Sequence, residues 1–173
     1  MQKKPDFTKK ILNSLSGKKA VSVPEIKANF ELPEQKYAVT RSIKNLADSG
    51  LVELLEGGQG EYARLTKSGR MKATSHKLDS TSSLVNPAWD GKWRIILLDL
   101  PEARKAEREA LRYLLKKAGF IMLKNSAWIS PFPFEFLFQN LKKDFGLSTE
   151  LMIIVTDSLD PETELELRKS YSM

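Results

Sequence analysis

The sequence has no cysteine and a single histidine among its 173 residues. Without thiols there can be no disulfide, cysteine nucleophile, iron–sulfur cluster or thiolate zinc site, and the composition suits a reducing compartment. One imidazole, His76, is too few for a histidine metal cage and makes a histidine-dependent triad a poor fit. Long apolar runs are missing as well. The longest aliphatic stretch, Ile95 to Leu98, falls far short of the ~20 residues that a spanning helix needs. The basic N-terminus is not followed by the apolar core of a signal peptide. Gly57, Gly58 and Gly60 lack the Lys-Ser/Thr that would make a phosphate-binding loop. Together these absences predict a soluble, cytoplasmic protein with no cofactor.

What is present is an ordinary globular mixture, 41% hydrophobic and 29% charged, of a length that suits one or two small domains. The net charge of +6 is unevenly spread. Residues 1–78 hold 15 Lys/Arg against 8 Asp/Glu, a net of +7, whereas residues 79–173 hold 13 against 14, a net of −1. A basic excess confined to one half is the footprint expected of a nucleic-acid-binding domain, although a basic solubilising surface gives the same sum. Between the halves, Ser75-His76-Lys77-Leu78-Asp79-Ser80-Thr81-Ser82-Ser83 is polar and aperiodic. It predicts a first domain over 1–78, a linker over 79–91 and a second domain over 92–173, with His76 exposed to solvent.

In the first domain Phe7, Ile11, Leu12 and Leu15 recur at helical spacing, with Asp6 as N-cap and Gly17 as stop. Ser22 precedes Val23-Pro24-Glu25-Ile26 and predicts a capped short helix with Glu25 at the capping-box position. A third helix is expected from about Glu34 to Ser49, its inner face Val39, Ile43, Leu46 and Ala47. Leu51 to Leu55, a glycine-rich turn and Glu61 to Leu65 then read as a hairpin, followed by a helix capped by Thr66. Three helices and a hairpin form the order of a winged helix-turn-helix, and the segments Thr40 to Leu46, Gly50 to Val52 and Leu65 to Arg70 resemble bacterial winged-helix regulators. A major-groove helix must offer donors along one strip. Lys36, Tyr37, Thr40, Arg41 and Lys44 supply that strip, and Gln59 and Arg64 on the hairpin extend it toward the DNA backbone. The competing view is the wet face of an amphipathic helix.

The second domain reads as βαββαβ, the ferredoxin-like order. Its parts are a strand through Ile95–Leu98, a helix from Pro101 to Ala118, strands at 120–124 and 127–130, a helix over 134–145 and a strand over 151–156. Ala103, Ala110, Leu111, Leu114 and Ala118 are expected inward on the first of these helices. Arg104, Arg108 and Arg112 form a basic ridge flanked by Glu107 and Glu109, and Trp89 and Trp93 are expected to pin the linker. The fold class is thus α+β.

Trp89-Asp90-Gly91-Lys92-Trp93-Arg94, Asp99-Leu100-Pro101-Glu102, Gly119-Phe120 and Ser126-Ala127-Trp128-Ile129-Ser130-Pro131 resemble the central region of PaaX-type transcriptional repressors. Those proteins join a winged helix to a ferredoxin-like domain related to the CRISPR-associated Cas-two family. The resemblance implies a dimeric, sequence-specific regulator of double-stranded DNA, acting as a repressor, with room for a small-molecule effector. The family's further C-terminal region finds no counterpart before Met173, so its acyl-CoA response is not carried over. The same resemblance implies an enzymatic alternative. In the Cas-two family an aspartate at the end of the first strand can help bind a divalent metal across a dimer, and Asp99 holds that position. Two such carboxylates would suit Mg²⁺ and phosphodiester cleavage by a metal-dependent endonuclease. The structural alternative makes Asp99 a cap for the helix at Pro101 or a dimer contact.

Overall fold

The computed structural model describes residues 7–58, 60–79 and 89–173. The chain divides into two compact units, Met1–Asp79 and Ser80–Met173. The expected cap Asp6, the hairpin residue Gln59 and most of the expected linker lie outside the described residues.

The first unit runs α1 (Phe7–Leu15), β1 (Val21–Ser22), α2 (Val23–Ala28), α3 (Pro33–Asp48), β2 (Val52–Gly57), β3 (Gly60–Leu65) and α4 (Lys67–Leu78). Ile11, Leu12 and Leu15 give α1 its buried face. The Ser22 hydroxyl accepts from the Glu25 N–H at 3.3 Å and starts α2, with Pro24 in the first turn where no N–H partner is needed. The Glu25 carboxylate receives Lys18 Nζ at 3.0 Å, so this cation rather than a capping box engages it. The strand β1 was not expected; two residues are too few to show a period. It pairs antiparallel with β3, Val21 opposite Ala63, and completes a three-stranded sheet ordered β1-β3-β2. Residues from α1, α2, α3 and the sheet share one apolar core, each fully buried aliphatic side chain contributing about 1.5–3 kcal/mol.

Two expectations for this unit are corrected. The fourth helix, expected to be short, runs from Lys67 to Leu78, burying Ala73, Ser75 and Leu78. The first part of the stretch read as aperiodic, Ser75 to Leu78, is therefore helix, because small and polar residues on its inner face conceal the period. His76 belongs to α4 with its Nδ1 3.5 Å from Asp79 Oδ2, and it is not a freely exposed side chain. One glycine here is sterically required. A Cβ on Gly69 would stand 1.9 Å from the Leu51 carbonyl oxygen, which is what lets α4 pack against the corner between α3 and β2.

The second unit runs β4 (Trp93–Leu98), a 3-10 turn (Glu102–Arg104), α5 (Lys105–Lys117), β5 (Ile121–Lys124), β6 (Ala127–Ser130), α6 (Glu135–Asp144), β7 (Leu151–Thr156) and α7 (Pro161–Ser170). Its four strands form an antiparallel sheet ordered β5-β6-β4-β7. The protein is thus mixed α/β with two antiparallel sheets, and this order is compatible with a ferredoxin-like domain. The helix expected from Pro101 starts at Lys105, after the tighter turn. Three residues per turn breaks the 3.6-residue phase. Ala103 is accordingly exposed and Ala110 only partly buried, while Leu115 joins Leu111, Leu114 and Ala118 inside.

Residues directly opposite in an antiparallel ladder share a face. One face of the sheet carries Arg94, Ile96 and Leu98 of β4 with Trp128 and Ser130 of β6. All are buried, and Glu135 of α6 reaches Arg94 there. The other face carries Trp93, Ile95 and Leu97 opposite Thr156, Ile154 and Met152, with Ile129 and Ala127 on β6. Leu167 and Tyr171, at the end of α7, pack over its Trp93–Ile129 end with Trp89, Ile95 and Leu159. The Trp89 ring lies tilted 5.3 Å from that of Trp93 and 4.4 Å from the Arg168 guanidinium. Beyond that cover Met152 and Ile154 remain 47% and 38% exposed.

Candidate nucleic-acid interface

The strip expected on the third helix is assembled by α3. Pro33 opens the helix, and Gly50, at a φ of 69°, ends it. Val39, Ile43 and Leu46 face the core. Lys36, Tyr37, Arg41 and Lys44 consequently project to solvent on the opposite side, Tyr37 at 79% exposure. Thr40, half-buried between them, donates its hydroxyl to the Lys36 carbonyl at 2.9 Å and keeps its oxygen lone pairs as acceptors. Among the described residues no ion pair engages Lys36, Arg41 or Lys44. The strip therefore presents cationic donors without internal compensation, which is what phosphate and base-edge contact demands.

The hairpin differs from this. Arg64 Nε donates to Glu53 Oε2 at 2.7 Å, and that bond holds the guanidinium above even its ordinary basicity. Glu53 and Arg64 are cross-strand partners in the β2–β3 register, a pairing that only the alignment of the strands reveals. The arginine is thus shared with a carboxylate, unlike the cations of α3.

In the second unit Asp99 stands exposed just past the end of β4. Its N–H donates to the Glu150 carbonyl at 2.8 Å. It caps neither helical segment: Pro101 takes the N-cap of the 3-10 turn and Arg104 that of α5. The Arg108 guanidinium, held mainly by a 2.8 Å bond to Glu102, also feels the Asp99 charge. No group of three or more His, Cys, Asp or Glu among the described residues is arranged to hold a metal. The arginine ridge is likewise committed. Arg104 binds Glu107 and Glu150, Arg108 binds Glu102, and Arg112 binds Glu109 at 3.1 Å and the Asn125 carbonyl at 3.1 Å.

The tryptophan-flanked motif at 89–94 has a structural centre that its sequence did not reveal. Arg94 is buried, and its two Nη atoms each lie 2.6 Å from an oxygen of Asp90. Its Nε donates to Glu135 at 3.0 Å, and the Nη1 that meets Asp90 also lies within reach of the carbonyls of Lys92 and Pro131. Gly91, at a φ of 78°, provides the turn that brings Asp90 back onto Arg94. The paired guanidinium holds the Asp90 carboxyl down at about 2. Nearby, the Tyr171 hydroxyl lies 2.7 Å from the Ile129 carbonyl and 2.8 Å from that of Gly119, and burial pushes its phenol up to about 12.

No helix among the described residues is long and apolar enough to cross a membrane. No curated protein matches the chain. Residues 86–168, which include the Asp90–Arg94 clamp and the whole four-stranded sheet, match the family model described as the PaaX protein central Cas2-like domain.

Proposed function

We propose that the chain is a PaaX-like transcriptional regulator that binds double-stranded DNA as a homodimer and acts as a repressor. The first unit is read as a winged helix-turn-helix, with α2 and α3 as the helix-turn-helix and β2–β3 as the wing. The observation that carries this reading is the uncompensated strip Lys36–Tyr37–Thr40–Arg41–Lys44 on α3, set against a buried opposite face. The family match of the second unit supports the regulator assignment.

Dimerisation is assigned to the second unit. The uncovered half of its sheet carries Leu97, Ala127, Met152 and Ile154. A surface that offers exposed apolar area is complementary to a second copy of itself, as a two-fold interface requires. Two copies also supply the two half-sites that a single reading helix needs for useful specificity. The test is selection of bound sequences from a random duplex pool by the full chain, followed by affinity measurement on the enriched site. Enrichment of a two-fold symmetric site supports the reading. Failure to enrich or bind any duplex overturns it.

A further inference from the structure

The register of the hairpin sets Glu56 directly opposite Glu61, one step before Gly57 opposite Gly60. Both glutamates are exposed. They share the face that carries Val52, Leu54, Ala63 and Leu65 nearer the base of the hairpin, so they extend the inner face beyond the core. Like charges directly opposite on one face disfavour strand pairing. The far side of the tip is closed by Tyr62, against which a Cβ on Gly57 would come to 2.9 Å. The hairpin's single cation, Arg64, is held by Glu53 at 2.7 Å. Residues 52–65 thus carry three glutamates and one arginine, a net of −2, while the rest of residues 1–78, with 14 Lys/Arg and 5 Asp/Glu, carries +9.

We propose that the hairpin is held away from the phosphate backbone by its charge, and that Glu56 and Glu61 cap affinity for DNA of any sequence. The inference rests on reading α3 as the DNA-binding element. Binding to any sequence is driven by phosphate neutralisation and counterion release. Two fixed carboxylates on the element next to the reading helix oppose that term for every duplex alike. Base-edge contacts made by α3 are unaffected, so cognate and non-cognate affinity fall by the same factor and their ratio is unchanged. The effect is electrostatic, so salt screens it.

The experiment uses the full chain and fluorescence anisotropy on a labelled duplex of mixed sequence, across a salt series. The double variant E56Q/E61Q keeps side-chain size and removes both charges. It is expected to bind this duplex about fivefold more tightly than the wild type at low salt, with the gain shrinking as ionic strength rises. A gain that stays constant with salt would mark simple stabilisation of the hairpin and overturns the proposal. Unchanged or weaker binding overturns it too. The R41A/K44A variant is the separate control. If it loses binding while E56Q/E61Q equals the wild type, only the hairpin inference fails. If the wild type binds no duplex, the reading of α3 fails and takes this inference with it.

Discussion

Arg94 and Asp90 form a two-point clamp, each guanidinium Nη 2.6 Å from its own carboxylate oxygen, with the arginine side chain 3% exposed and the aspartate 45%. The asymmetry of burial separates the two substitutions. Arg94→Met empties the hub and leaves Glu135, 16% exposed, without its cation; it costs about 2–4 kcal/mol. Asp90→Ala leaves the arginine bonded to Glu135 and two carbonyls, and solvent screening at the exposed carboxylate lowers its cost to about 1–2 kcal/mol. Urea denaturation followed by tryptophan fluorescence measures both. Because Arg94 lowers the Asp90 carboxyl from an ordinary 3.8 to about 2, its contribution is complete above that ordinary value and is lost as pH falls toward 2. Asp90→Asn should flatten this part of the acid limb.

Tyr171 sits at the other end of the pH scale. Burial raises its phenol from 10.0 to about 12. A raised value means that its contribution is present below the ordinary pKa and lost as pH climbs toward 12. Ultraviolet titration should show one of the four tyrosines ionising late, and Tyr171→Phe should remove that step. The same variant loses the hydroxyl's bond to the Ile129 or Gly119 carbonyl and should cost about 1–2 kcal/mol.

On α3, Arg41→Ala and Lys44→Ala should differ in kind. Arg41→Ala weakens binding to the enriched site by about 1–3 kcal/mol and relaxes discrimination at one base pair. Lys44→Ala weakens all duplexes similarly and reduces the salt slope by about one. Both side chains are exposed, so neither change should move the unfolding midpoint.

Ile154→Lys puts a charge into the uncovered half of the second sheet at a position already 38% exposed. Light scattering should show the wild type at twice 19.6 kDa and the variant at 19.6 kDa. A wild-type monomer at micromolar concentration would sink the dimer assignment.

Asp99→Asn tests the enzymatic alternative. Since Asp99 caps neither helical segment, the amide should leave both stability and DNA affinity within about 0.5 kcal/mol of wild type. No Mg²⁺- or Mn²⁺-dependent cleavage is expected of the wild type. Cleavage of DNA or RNA that Asp99→Asn abolishes would replace the regulator reading with the nuclease one.

Sequence patterns reached the elements more readily than their partners. Val39, Ile43 and Leu46 between Pro33 and Gly50 mark α3 and its outer strip without any tertiary information. The aliphatic runs of β4 and β7 are equally plain, since strands buried on at least one face need few polar residues. What stays hidden depends on distant residues. Nothing in the local pattern marks Arg94 as buried, because its partner Glu135 lies 41 positions away. Arg64 reads as a free DNA contact until strand register sets it beside Glu53. The length of α4 is obscured because Ala73 and Ser75 are inside yet are not strongly apolar.

The corner at Gly69 has a mechanical meaning. The Leu51 carbonyl oxygen accepts from Thr66 N–H at 3.1 Å, the Thr66 hydroxyl donates to the Gly50 carbonyl at 2.6 Å and accepts from Gly69 N–H at 3.1 Å. Lys77 Nζ ties the far end of α4 to Ser16 at 2.7 Å. Helix α4 is therefore pinned at both ends, its first turn to the C-terminal stop of α3 and its last turn to the residue that follows α1.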